Sequence, residues 1–85
     1  MRLAFEPQAF EDIQYWLQCD RKKLVKIFAL LEDILRSPTS GLGKPEALRH
    51  ELAGCWSRRI DQEHRLVYRI EKGTIIVLSC RYHYR

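Results

Sequence analysis

The sequence predicts one α+β domain over residues 1–85, ordered β-α-α-β-β-β, with two helices packed on one face of a twisted antiparallel sheet. Three observations predict it. Apolar residues recur at helical spacing through residues 7–36. Two alternating runs rich in β-branched and aromatic residues, Trp56–Ile60 and His64–Ile70, flank the polar tripeptide Asp61-Gln62-Glu63, the pattern of a β-hairpin. A third apolar run, Thr74–Tyr82, follows the turn residues Glu71-Lys72-Gly73.

Taken in order, Arg2–Phe5 forms a short edge strand. Pro7 suits the first turn of a helix, where its missing N–H costs nothing. Ala9, Phe10, Ile13, Trp16 and Leu17 follow helical spacing and make a core stripe, with Glu6, Glu11 and Asp12 at the favourable end of the helix dipole. Asp20 caps a second helix over about residues 21–36. There Leu24, Phe28, Leu31 and Leu35 repeat at core spacing, Val25, Ile27 and Ile34 widen the stripe, and Ser37-Pro38 stops it. Two helices with so short a joint form an antiparallel pair. Thr39–Pro45 is a glycine-containing loop. Residues 46–52 read either as one helical turn or as an irregular approach to the hairpin.

Composition narrows the function classes. The chain is 46% hydrophobic and 31% charged, the balance of a folded globular domain. No stretch approaches a membrane span, and no signal-peptide pattern opens the chain. Cys19, Cys55 and Cys80 are odd in number and widely spaced, which predicts reduced thiols, a cytoplasmic location and no structural zinc. The net charge is +4, and residues 44–85 carry all of it. That asymmetry points to an acidic or polyanionic partner, or to a basic face kept for solubility.

With Asp61–Glu63 as the loop, Arg59 stands directly opposite Arg65, and strand alternation puts both on the face away from Trp56, Ile60, Leu66 and Tyr68. Opposed like charges repel, so folding alone gains nothing from the pair, whereas an anion site needs it. Arg58 points to the helix side, where its stem covers apolar surface or its head pairs with an acid. In the last strand, Ile76, Leu78, Cys80 and Tyr82 are expected to face the helices, and Ser79, Arg81 and His83 to face outward with Arg59 and Arg65. Tyr82 is expected in the core. His50 and His64 are assigned structural roles.

Cleaving RNA without a metal requires a base for the ribose 2′-OH, cations for the phosphorane and an acid for the departing oxygen. Glu46, Arg65 and His83 supply those chemical types. Taken alone, the residues leave open a blander reading. In it Glu46 is a loop carboxylate paired with Arg49 or Arg59, and His83 is a solvated terminal histidine.

Gly43-Lys44-Pro45-Glu46, Leu48, Gly54, Trp56-Ser57-Arg58-Arg59-Ile60, Glu63-His64-Arg65-Leu66-Val67-Tyr68 and Cys80-Arg81-Tyr82-His83-Tyr84, with Tyr15-Trp16 in the first helix, closely resemble the YoeB toxins. These belong to the RelE/ParE superfamily of bacterial type II toxin–antitoxin systems. The resemblance implies a RelE-like microbial ribonuclease fold and an enzyme that enters the ribosomal A site and cleaves messenger RNA there. By similarity, Glu46 is the general base and His83 the general acid. Arg65 stabilises the phosphorane, and the first product is a 2′,3′-cyclic phosphate. Arg59, Arg49, Lys44, Arg81 and Tyr84 are the implied substrate-binding residues. No cofactor or metal is implied. The implied partners are a YefM-like antitoxin, the ribosome with its message, and a second copy of the chain. Two departures stand out. Arg49 occupies a position where the family usually has lysine, and arginine cannot transfer a proton there. Arg85 extends past Tyr84. The same fold also serves ParE-like gyrase-poisoning toxins and antitoxin-bound co-repressors, which are the alternatives. The joint presence of Glu46, Arg65 and His83 argues against the gyrase alternative.

Overall fold

The computed structural model describes residues 1–82. Its elements run β1 (Arg2–Phe5), α1 (Pro7–Cys19), α2 (Arg21–Arg36), β2 (Glu46–Ala47), a 3₁₀ turn at His50–Leu52, β3 (Cys55–Arg59), β4 (Arg65–Glu71) and β5 (Thr74–Ser79). The strands form one sheet in the order β1-β5-β4-β3-β2. The helix boundaries follow the sequence signals. Pro7 begins α1, and the Asp20 carboxylate accepts the Lys22 N–H at 3.1 Å to cap α2.

The sheet is mixed rather than antiparallel throughout, because β1 pairs parallel to β5 from Arg2↔Thr74 to Phe5↔Val77. The helical excursion supplies the long crossover that parallel pairing requires. The segment after Pro45 adds a fifth strand to the four expected, two residues paired with β3, and a single 3₁₀ turn follows it.

The core lies between the helices and the sheet. Ala9, Trp16, Leu24, Ile27, Leu31 and Ile34 pack on Leu66, Tyr68, Ile75 and Val77, all buried. Each such aliphatic side chain stabilises the fold by roughly 1.5–3 kcal/mol relative to exposure. Several expected core positions differ. Phe10, Leu17, Val25 and Phe28 are exposed. The helical stripe is narrower and rotated, with Leu30 fully buried on α2 and Asp12 taking a buried place on α1.

In β5 the alternation is out of phase with expectation. Ile75 and Val77 face the helices, whereas Ile76 and Leu78 are half-buried. The cause is a bulge: Val67 pairs with Ser79 while the next residue, Tyr68, pairs with Val77, so Leu78 is the extra residue. Beyond it Cys80 returns to the core as expected. Tyr82 does not; it is 42% exposed.

Where β5 ends, side chains of α1 replace ladder hydrogen bonds. The buried Asp12 accepts the Cys80 N–H at 2.9 Å, and the Trp16 indole N–H donates to the Cys80 carbonyl at 2.8 Å.

Arg58 reaches the helix side and is fully buried. Its guanidinium pairs with Asp33 of α2 at 2.6 Å. It also donates to the carbonyls of Leu42, Ser37 and Ser40 at 2.9, 2.6 and 3.0 Å, and to the Tyr68 hydroxyl at 3.2 Å. That hydroxyl in turn donates to Pro38 O at 2.5 Å. Arg58→Met is therefore expected to lower stability by about 3–5 kcal/mol, since it strips a buried charge from its partners. The exposed neighbour Arg59→Met should change stability by less than about 0.5 kcal/mol. Urea unfolding of the two variants checks the contrast.

Candidate nucleic-acid cleavage site

The candidate site lies on the sheet face opposite the helices, and the strand register says which candidates share that face. Arg59 pairs directly with Arg65, as alternation predicted. Glu46 pairs with Ser57, Ser57 with Val67, and Val67 with Ser79. Paired residues share a face, so Glu46 lies at one end of a row whose neighbouring row is Arg59–Arg65. Glu46 and Arg65 are two strand spacings apart across the sheet and one row apart along it, so about 12 Å separates their backbone positions. Ser57, Val67 and Ser79, between and beyond these charges, are small and buried. The Ser79 hydroxyl has no partner among the described residues.

The loop that delivers Glu46 is shaped by close packing. Gly43 has φ +78°, and a side chain there would meet Leu30 at 2.9 Å and the Arg59 carbonyl at 3.1 Å. Only glycine fits both the conformation and the space. Its carbonyl accepts the Arg59 N–H at 2.7 Å, extending the strand ladder one step beyond β2. Lys44 follows at φ +53°, and Pro45 leads into the strand.

Arg65 is half-buried and already directed. One guanidinium nitrogen donates to the carbonyls of Asp61 at 2.8 Å and His64 at 3.2 Å. Among the described residues, the other donors of its fork meet no side-chain or backbone acceptor, a geometry that suits a planar anion. Lys44, Glu46, Arg49 and Arg59 are exposed. Among the described residues, no salt bridge joins Glu46 to Arg49 or Arg59. The bland pairing considered for Glu46 is thus not what the structure contains.

Arg81 departs from expectation. Its guanidinium carbon lies 3.5 Å from the Tyr15 ring centroid and 4.7 Å from that of Tyr82, stacked against α1 rather than beside Arg59 and Arg65. The cause is the end of β5 at Ser79, after which outward alternation no longer applies. His83, Tyr84 and Arg85 lie outside the described residues. Among the described residues, no cluster of three or more His, Cys, Asp or Glu forms a metal site, and no helix is long and apolar enough to cross a membrane.

His64, expected to be structural but with no partner evident in the sequence, has partners in the fold. The ring stands edge-on to Trp16, with centroids 4.8 Å apart, and its Nδ1 accepts the Tyr82 N–H at 2.7 Å. Nothing local in the sequence links residues 16, 64 and 82.

The hairpin tip is tied to α2. Asp61 accepts the N–H groups of Glu63 and His64 at 2.8 and 2.7 Å and pairs with Lys23 at 2.8 Å. Partial burial opposes its charge, but the Lys23 hydrogen bond and the two N–H donors outweigh that and lower the Asp61 carboxyl to about 2. Its unfolded value is near 3.8. The stabilisation is therefore complete above the unfolded value and lost as pH falls through the folded one. Asp61→Asn keeps the turn acceptor and removes the charge. Its unfolding midpoint should accordingly fall less steeply than wild type between pH 4 and 2, as urea titrations across that window will read.

A family model described as the YoeB-like toxin of bacterial type II toxin–antitoxin systems matches residues 5–84. The toxin YoeB of Mycobacterium bovis is 54% identical over 80 residues, covering 94% of each chain. A YoeB/ParE toxin from Agrobacterium tumefaciens superposes with TM-score 0.94 at 42% identity, covering 99% of this chain and 100% of that one. A Staphylococcus aureus YoeB, 48% identical and covering 99% of this chain and 98% of its own, has been solved as a dimer (TM-score 0.91) and in a heterotetramer with the antitoxin YefM (TM-score 0.90). With the family model spanning nearly the whole chain and relatives this similar, the chain belongs to the YoeB-like toxins of bacterial type II toxin–antitoxin systems.

Proposed function

We propose that this toxin is a ribosome-dependent endoribonuclease that cleaves messenger RNA in the A site without a metal. The observation that carries the reading is the register that sets Glu46 one row from Arg59–Arg65 on a single open face. A carboxylate and two guanidinium groups there match what internal attack on a phosphodiester needs.

In this mechanism Glu46 removes the proton from the ribose 2′-OH, and the resulting oxygen attacks the adjacent phosphorus. Arg65, held by the hairpin carbonyls, and Arg59 stabilise the charge that builds on the equatorial oxygens. His83 protonates the departing 5′-oxygen, leaving a 2′,3′-cyclic phosphate on one fragment and a 5′-hydroxyl on the other. Lys44 and Arg49 bind the backbone on either side of Glu46, and Tyr84 orients the nucleotide. Arg49 serves as a fixed cation and takes no part in proton transfer. The guanidinium and imidazole groups supply the positive charge that a metal provides in other nucleases. The opposed arginines, costly in the free protein, become favourable once phosphate lies between them.

By analogy with the S. aureus relative, we assign a YefM-like antitoxin and a second toxin copy as partners. The basic half of the chain suits an acidic antitoxin segment and ribosomal RNA.

Single-turnover cleavage on ribosomes programmed with a defined message tests the roles. Glu46→Gln and His83→Ala should each slow cleavage by about 10²–10⁴-fold, and Arg65→Ala by about 10²–10³-fold, with ribosome binding largely kept in the first two. Cleavage at wild-type rate by both Glu46→Gln and His83→Ala would remove the assignment. Mapping message ends after brief expression separates a nuclease from a gyrase poison, since the latter leaves messages intact.

A further inference from the structure

Tyr82 is gripped by two consecutive residues of the hairpin. His64 Nδ1 accepts its N–H, and the Arg65 N–H donates to its carbonyl, both at 2.7 Å. The sheet offers no ladder here, because β5 has ended at Ser79. Tyr82 also sits at φ +63°, a left-handed conformation that costs a non-glycine residue about 1–2 kcal/mol. Something must hold it there, and these two bonds flank that residue.

His64 is itself fixed. It is 8% exposed, and its ring stands perpendicular to the Trp16 ring in a T-shaped contact. The same indole donates to Cys80, so one side chain braces both ends of the link between Cys80 and Tyr82. A ring that accepts at Nδ1 carries its proton on Nε2, and that nitrogen faces Glu63 at 3.6 Å.

We infer that His64 is a positioning residue: its neutral imidazole latches Tyr82, the residue that precedes His83 and Tyr84 in sequence. The inference rests on the nuclease reading, which gives those two residues the acid and nucleotide-orienting roles. His64 makes no contact with substrate. It acts by fixing Tyr82, next in sequence to the proposed acid, against the hairpin position that carries Arg65.

The competing explanation is that His64 is only an aromatic filler on Trp16, and three substitutions separate the two. His64→Phe keeps the ring and removes the acceptor. His64→Asn removes the ring but puts an amide oxygen near the place of Nδ1. His64→Gln carries its amide too far out, toward the place of Nε2. The measurements are single-turnover cleavage on programmed ribosomes, ribosome affinity, thermal unfolding, and hydrogen exchange of the Tyr82 amide.

A latch predicts that H64F and H64Q cleave about 10²-fold more slowly at unchanged ribosome affinity and lose protection of the Tyr82 amide. H64N recovers both that protection and most of the rate. If H64F does not fold, the H64N and H64Q pair provides the same contrast. The inference is overturned if H64F cleaves at the wild-type rate, if the Tyr82 amide stays protected in it, or if H64N is slower than H64F. Wild-type protein that cuts no message removes the nuclease reading and the functional half of this inference, while amide exchange still reads the latch by itself.

Discussion

Arg58 joins α2, the loop after it and β4 through one guanidinium group. It is fully buried in a domain of 85 residues, where a charge without partners is intolerable. Five acceptors satisfy it, and they come from three separate parts of the chain: α2, the loop after it, and β4. The loop has no regular structure of its own, so its carbonyls are oriented by this one group. Asp33 completes the arrangement by accepting the Leu42 N–H at 2.9 Å as well. Gly41 and Gly43 are forced by the same packing, Gly41 lying against Asp33 and Gly43 against Arg58. The path from Ser37 to Pro45 is thereby fixed, and with it the pairing of Glu46 to Ser57.

The two faces of the sheet solve different problems. The helix face buries apolar surface and tolerates one charge by surrounding it. The open face carries arginines opposite one another with a carboxylate one row away, and among the described residues no salt bridge neutralises them. Lys23 and Asp61 mark the boundary, since their pair ties the hairpin tip to α2 and leaves Lys23 less available to a polyanion than Lys22 or Lys26. The exposed apolar residues Phe10, Leu17, Val25 and Phe28 belong to neither face. They lie on the helices, away from the proposed chemistry.

Much of this arrangement was legible in the sequence, and its gaps have physical causes. The helix ends were announced by Pro7, Asp20 and Ser37-Pro38, and the hairpin register by a three-residue polar loop between alternating runs. The inward turn of Arg58 followed from alternation alone. Periodicity failed where geometry departs from the ideal period. The bulge at Leu78 reverses the faces of Ile75 to Val77, and no residue type signals a bulge in so uniformly apolar a strand. The helical stripes were too wide to reveal which side of them was buried, so Phe10 and Phe28 were placed inside. Parallel pairing of β1, the stacking of Arg81 on Tyr15 and the His64–Tyr82 bond are all long-range contacts. A reading of local pattern contains no information about them.

What alternation makes possible is an economy in the hairpin itself. Along β3, Arg58 points inward and holds the loop that presents Glu46, while its neighbour Arg59 points outward to the proposed phosphate. At the other end of the turn, His64 is buried and holds Tyr82, while its neighbour Arg65 turns outward. Each proposed phosphate ligand is therefore adjacent in sequence to the residue that fixes another part of the site. Adjacent strand residues are separated by only about 3.3 Å along the backbone. Errors in placing the supporting residue are thus shared by its neighbour, and the two groups move together. Glu46 and Tyr82 come from distant parts of the sequence, yet both are bonded to one hairpin. That common reference lets a small domain hold a loop carboxylate and the backbone of Tyr82 in register without a larger scaffold to align them.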